Sequence, residues 1–314
     1  MKIAFVFPGQ GSQSVGMLSS FAGNAAVHEL LERASGALDQ DLGRLIAEGP
    51  AEELGLTVNT QPCMLLAGLA CFVAWRAAGG AAPAMMAGHS LGEYTALTAA
   101  GTFAVDAAVR LVRFRAEAMQ QAVPVGTGTM AAILGLSDDA VRAACARAVA
   151  ESKPGSVVEA VNFNAPSQVV IAGHAEAVER ACEAARAAGA KRAVVLAVSA
   201  PFHSSLLAPA SAALRERLAR EPLAQPQVPV VNNVDAAIES DPARIRDALA
   251  RQAAAPVRWV EVVRKMADAG VTHVVECGPG KVLSGLTRRI APEVESLSLA
   301  DAAAIPTCLE RLGK

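Results

Sequence analysis

The sequence predicts an α/β fold, a mainly parallel sheet covered by helices with a smaller βαββαβ unit inserted into it. Three observations predict it. Short apolar runs such as KIAFVF (2–7) and THVVECGPG (272–280) alternate with longer helical patterns. Hydrophobic residues make up 53% of the chain and aromatics 4%, so alanine, valine and leucine must fill a large core. Within 125–198 the rhythm changes to strand, helix, strand, strand, helix, strand. The 314 residues suit one large domain with an insert. The expected division is a core of 1–124 and 199–314 and an insert of 125–198.

Along the chain, 2–7 reads as a buried strand, followed by a tight turn at Gly9, Gln10 and Gly11. Helical patterns cover 25–40, 41–48 and 62–78. The last holds the most apolar stretch, CMLLAGLACFVAW (63–75), which is too short to span a bilayer and suits a buried helix, with Pro62 in its first turn. AMMAG (84–88) reads as a short strand, EYTALTAAG as a helix ended by Gly101, and 105–123 as a longer helix stopped by Pro124. In the insert, TMAAILGL, SVVEAVNFN, SQVVIAG and KRAVVLAV read as strands. Ser137 reads as the N-cap of one helix and Gly189 as the C-cap of the other. PVVNN (229–233) and THVVECGPG return the chain to the core sheet, with helices near 205–220, 241–253 and 257–270.

Composition excludes several classes. A net charge of −2 offers no basic surface for nucleic acid or membrane. The six cysteines form no C-x-x-C pair and sit near no histidine at zinc-ligand spacing, so they read as small buried hydrophobes in a reducing compartment, with no metal implied. The N-terminal apolar run is short and cut by Pro8, unlike a signal peptide. The expectation is a soluble cytoplasmic protein, monomeric by default.

The chemistry concentrates in GHSLG (88–92). G-x-S-x-G between a strand and a helix is the nucleophile-elbow pattern. It makes Ser90 a candidate nucleophile and the Leu91 N–H a candidate oxyanion donor at a helix N-terminus. A serine needs a base. His89 lies inside the elbow and reads as a neighbour. His28 and His174 read as solvated, and His273 as the start of a strand. His203, in VSAPFHSSLL, falls in a loop between the two units and is the favoured base. No acid partner announces itself: Asp138 and Asp139 read as a helix first turn and Glu159 as a strand residue. A Ser–His dyad with a carbonyl holding the imidazole is therefore expected. GQGSQS lacks the third glycine of a dinucleotide fingerprint, and GPGKV lacks the Ser or Thr of a P-loop. The elbow alone leaves a serine hydrolase, an acyltransferase and a non-catalytic binding module all open.

FVFPGQGSQ (5–13), GHSLGEYTAL (88–97), VPVGTGTMAAILGL (123–136), VNFNAPSQVVIAG (161–173), PFHS (201–204) and ECGPGKVLSGLTRR (276–289) occur in the order and spacing of a known family. On these motifs the chain resembles the malonyl-CoA:acyl carrier protein transacylases over nearly its whole length. The acyltransferase domains of polyketide synthases are close relatives of that family. The resemblance implies an α/β-hydrolase-like core with a ferredoxin-like insert. It also implies malonyl-CoA and acyl carrier protein as partners and no cofactor. By the same resemblance, Ser90 matches the malonylated nucleophile, His203 the base, Gln10 and Leu91 the backbone oxyanion donors and Arg115 the malonyl-carboxylate clamp. Gln252 matches the residue whose backbone carbonyl holds the histidine. AAAPV after Gln252 departs from several family members, which carry a bulkier or asparagine-containing version, but a backbone-carbonyl role does not depend on it. Phe202, beside the base, is a candidate to crowd a branched acyl group; its ordinary reading is packing. Lys191, Arg192, Lys281, Arg288 and Arg289 are candidates to meet an acidic carrier, with solvated surface their ordinary reading.

Overall fold

Nine strands divide between two sheets in the computed structural model, which describes residues 1–313. They are β1 (Ile3–Phe7), β2 (Met85–Gly88), β3 (Gly128–Leu134), β4 (Val158–Ala165), β5 (Gln168–His174), β6 (Arg192–Val195), β7 (Val230–Val231), β8 (His273–Glu276) and β9 (Glu295–Ser298). The first sheet has the order β7-β2-β1-β8-β9, and every neighbouring pair is parallel. All five residues of β1 are buried, which is why IAFVF is continuously apolar rather than alternating. Phe7 pairs with Gly88, so the C-terminal ends of β1 and β2 emerge side by side.

The second sheet is antiparallel with the order β4-β5-β3-β6, the split βαββαβ arrangement expected from the sequence. Its helices, Asp138–Ala150 and Ala175–Ala187, bury alanine, valine and cysteine against one face. Ser137 caps the first by accepting from the Ala140 N–H at 3.3 Å. Backbone bonds tie this sheet to the other unit: Val257 N donates to Val161 O at 2.8 Å, and Phe163 N donates to Val257 O at 3.0 Å. Arg289, read as a surface cation, is engaged in the same seam with Pro166 O and Gln168.

The structure corrects the reading of Pro62. The apolar helix runs Thr57–Ala77, so Pro62 lies inside it rather than in its first turn. The polar run TVNTQ (57–61) lies outside the helix expected over 62–78, but Thr57, Asn59, Thr60 and Gln61 are buried and bonded. Asn59 donates to Glu53 O at 3.0 Å and Thr60 to Leu54 O at 2.6 Å. With those groups satisfied, the helix starts five residues early and the proline costs one backbone bond. The helix is long and apolar enough to cross a membrane, yet 83% of its 18-residue apolar window is buried inside the protein.

Three elements near the C-terminus had no expectation: the helices Val282–Ile290 and Ala304–Arg311, and β9. β9 reads ESLS and has one buried residue, so it carries no hydrophobic signal and exists only by pairing with β8. The helix Val282–Ile290 is capped from a distance. The buried Glu276 carboxylate accepts the N–H groups of Leu283 at 3.0 Å and Ser284 at 2.8 Å. All six cysteines are buried free thiols.

Candidate active site

β1 has β2 on one flank and β8 on the other, so chain order reverses around it and a crevice opens at the carboxyl ends of the strands. β2 ends at Gly88 and a helix, Leu91–Ala99, begins three residues later. Ser90 between them has φ +53° and ψ −110°, a strained conformation for a residue with a side chain. The flanking glycines make it possible. A Cβ at Gly88 would fall 1.9 Å from the Gly92 carbonyl carbon, and one at Gly92 would fall 2.0 Å from the Phe7 oxygen. Strand end, helix start and β1 can approach this closely only without those side chains.

A serine before a helix ordinarily turns its hydroxyl onto a first-turn N–H. Ser90 makes no such cap bond. Its Oγ lies 2.7 Å from His203 Nε2 and accepts from Arg115 Nη2 at 3.0 Å. Arginine only donates, so the serine proton is directed at His203 Nε2, which accepts. His203 Nδ1 lies 2.9 Å from Gln252 O, and a carbonyl only accepts, so Nδ1 carries the ring proton. The partners thus dictate the base-competent tautomer. His203 itself has φ +67°, a second strained residue facing the first.

Arg115 lies on the inner face of the helix Val105–Gln121 and is 2% exposed. Its Nη1 donates to Gln61 Oε1 at 2.7 Å, its Nη2 also donates to Gln252 Oε1 at 2.9 Å, and its guanidinium lies 5.3 Å from the Tyr94 ring centre. Ser90, His203 and Arg115 line a cleft of about 330 Å³ together with Gln10, Leu91 and Phe202. Leu91 is the first residue of its helix, so its N–H has no intrahelical acceptor. A larger groove of about 590 Å³ runs between the helices Ala25–Leu38 and Leu42–Glu48, but it contains none of these paired groups.

The other histidines are engaged elsewhere. His89 Nε2 meets Asn164 Oδ1 at 2.8 Å and its ring packs edge-on against Trp259. His28 is exposed beside Glu32. His174, read as solvated, is half-buried and accepts the Val157 N–H at Nδ1. His273 lies beside Thr272. Glu159 accepts the Ser205 N–H at 2.7 Å, so it steadies the loop after His203 while a carbonyl meets the imidazole.

Burial, and after it the Arg115 charge, push the His203 pKa down to about 3. The imidazole is therefore neutral and able to accept a proton well below ordinary histidine pH. The rate at which a neutral acyl thioester probe acylates Ser90 is expected to stay level from about pH 6.5 down to about pH 4. An unperturbed imidazole would lose about tenfold per unit in that range. A stopped-flow pH series decides this, and a tenfold-per-unit decline would show a solvated base. The same depressed pKa contributes stability that is complete above about 6.5 and is lost as pH falls toward 3.

Three supporting residues escaped the sequence reading. Asn233 Oδ1 accepts the Ser90 N–H at 2.7 Å and its Nδ2 donates to Gly88 O at 2.7 Å, clamping the elbow from both ends. Gln61 orients Arg115. Glu93, 2% exposed, accepts from Asn233 N at 2.9 Å and Gln252 Nε2 at 2.8 Å. A signal existed for two of them. Gln61 is a polar residue just before the most apolar stretch of its helix, and Glu93 is a charge in the otherwise uncharged helix LGEYTALTA.

Fold and site place the protein among the acyltransferases: the family model of the acyl transferase domain matches residues 4–308. The malonyl CoA-acyl carrier protein transacylase of Salmonella typhimurium is 53% identical over 98% of this chain and 99% of its own length. The crystal structure of the acyl-carrier-protein S-malonyltransferase from Burkholderia pseudomallei superposes with a TM-score of 0.96 at 64% identity, covering 99% of this chain and 100% of that one. A malonyl-transacylase in complex with its type II PKS acyl-carrier protein gives a TM-score of 0.96 at 48% identity, covering 99% and 100%. The chain belongs to the malonyl CoA-acyl carrier protein transacylase family.

Proposed function

We propose that the chain moves a malonyl group from malonyl-CoA to the phosphopantetheine thiol of acyl carrier protein through a malonyl ester on Ser90, supplying extender units for fatty acid synthesis. The observation that carries this reading is the buried Arg115 guanidinium, 3.0 Å from Ser90 Oγ in the cleft. Nη2 already donates to Ser90 Oγ and Gln252 Oε1, while Nε has no partner and Nη1 donates to Gln61 alone, so the cation keeps donors for an acyl carboxylate beside the reacting oxygen. A guanidinium matches a carboxylate in geometry as well as charge. A hydrolase of neutral esters has no use for a buried cation there.

In the first half-reaction the malonyl carboxylate sits on Arg115. His203 Nε2 takes the Ser90 proton as Oγ attacks the thioester carbon. The N–H groups of Gln10 and Leu91 hold the oxyanion, and the intermediate collapses as the imidazolium protonates the departing coenzyme A sulfur. In the second half-reaction His203 takes the proton of the carrier thiol, whose sulfur attacks the malonyl ester, and then returns that proton to Ser90. This ping-pong cycle moves one acyl group and one proton each way and calls for neither metal nor redox cofactor. The enzyme works as a cytoplasmic monomer, with 125–198 closing one side of the cleft over the core.

Intact-mass measurement with malonyl-CoA tests the reading. The expected result is a malonyl adduct on Ser90 that persists in water and disappears when acyl carrier protein is added, with the adduct mass moving to the carrier. Rapid release of free malonate would instead indicate a hydrolase, and no adduct at all would remove the catalytic reading.

A further inference from the structure

The Gln252 side chain connects the site's polar groups, and only one of its two orientations fits them. It is fully buried. Its Nε2 donates to Glu93 Oε2 at 2.8 Å and to Ser90 O at 3.0 Å, while its Oε1 accepts from Arg115 Nη2 at 2.9 Å. A carboxylate and a carbonyl accept, and a guanidinium donates. Turning the amide over would set Oε1 against two acceptors and the NH₂ group against the guanidinium.

We propose that Glu93 is a positioning residue: it holds the Gln252 amide with its oxygen toward Arg115 and thereby aims the guanidinium at the acyl carboxylate. The Glu93 carboxylate makes no bond to Ser90 Oγ and Glu93 does not line the cleft, so its side chain acts through Gln252. It is well placed for this. It occupies the third residue of the helix Leu91–Ala99, where a glutamate commonly reaches back to the cap residue's N–H. Here Asn233 Oδ1 takes the Ser90 N–H, which leaves the carboxyl free for Gln252 and the Asn233 backbone. One oxygen, Oε2, accepts both bonds, so the role needs an acceptor at that point rather than a charge. Burial pushes the Glu93 pKa up to about 7, consistent with a group that serves as an acceptor in either protonation state.

The inference rests on malonyl transfer as the function, and the test separates the two. The quantity read is the ratio of kcat/KM for malonyl-CoA to that for acetyl-CoA in Ser90 acylation. Glu93→Leu, which removes the acceptor, is expected to lower this ratio about tenfold or more, chiefly through a higher KM for malonyl-CoA. Glu93→Gln, which keeps an oxygen there, should hold the ratio within about threefold of the original. Gln252→Met cuts the relay from the other side while sparing the backbone carbonyl on His203, and should match Glu93→Leu. Thermal melts report on folding. If Glu93→Leu does not fold, Gln252→Met alone decides. An unchanged ratio in Gln252→Met, an equal fall for both donors in Glu93→Leu, or a Glu93→Gln as defective as Glu93→Leu would each overturn the positioning role. Failure of the unmodified protein to form malonyl-Ser90 would instead remove the functional reading beneath it.

Discussion

His203→Ala is expected to slow acylation of Ser90 by malonyl-CoA by about four orders of magnitude or more. Among the described residues the imidazole is the one base in hydrogen-bond contact with the hydroxyl, at 2.7 Å, and its ring proton is committed to Gln252 O. Without it, Ser90 Oγ keeps the Arg115 contact and the proposed oxyanion donors, which would support only residual reaction. Burst-phase mass spectrometry measures the effect. A loss under about tenfold would mean that another group takes the proton, and His89 in the same cleft would be the first to examine. Burial already lowers the His89 pKa, and Asn164 occupies its Nε2, so little compensation is expected.

Arg115→Ala should lower kcat/KM for malonyl-CoA by about a hundredfold to a thousandfold while acetyl-CoA loses far less. Two charge-assisted bonds to the substrate carboxylate would vanish, and a neutral acetyl group makes neither. Both donors should lose something, because Gln61 and Gln252 are left with unpaired oxygens and a cavity opens beside Ser90. Arg115→Lys restores charge but not the planar fork, so its recovery of malonyl transfer should be partial. Competing the two donors in one reaction gives the ratio directly. Equal losses would show that Arg115 stabilises the site without selecting its substrate.

The strongest local signals in the chain belong to the elbow. Gly88 and Gly92 stand where any side chain would collide with backbone, so the pattern G-x-S-x-G records a steric fact that needs no distant residue to read. The same holds for the insert, whose strands and helices alternate with clear turn residues, and whose cap at Ser137 acts within its own helix. Pro62 shows the opposite case. Its place inside the helix depends on buried polar side chains finding partners at Glu53 and Leu54, and composition gives no hint that they do. β9 likewise has no signal of its own, because an edge strand of mixed polarity is defined by its neighbour.

The site divides along the same line. Ser90 was legible from its five-residue pattern together with the strand before it and the helix after it. His203 came from its place between two units, and Arg115 and Gln252 came only from resemblance to a family. Arg115 shares its helix with Arg110 and Arg113, and periodicity alone does not choose among them.

By itself, then, the sequence determined the fold class, the parallel core, the split-βαββαβ insert and the strained serine turn. Each is set by residues near in the chain, through hydrophobic period, turn chemistry and steric exclusion. Only the tertiary structure decided which nitrogen of His203 faces the serine, which arginine enters the cleft, and that Glu93, Asn233 and Gln61 brace the site. These follow from hydrogen bonds between residues 25 to 162 positions apart, whose donors and acceptors become definite partners only after the core has packed around them.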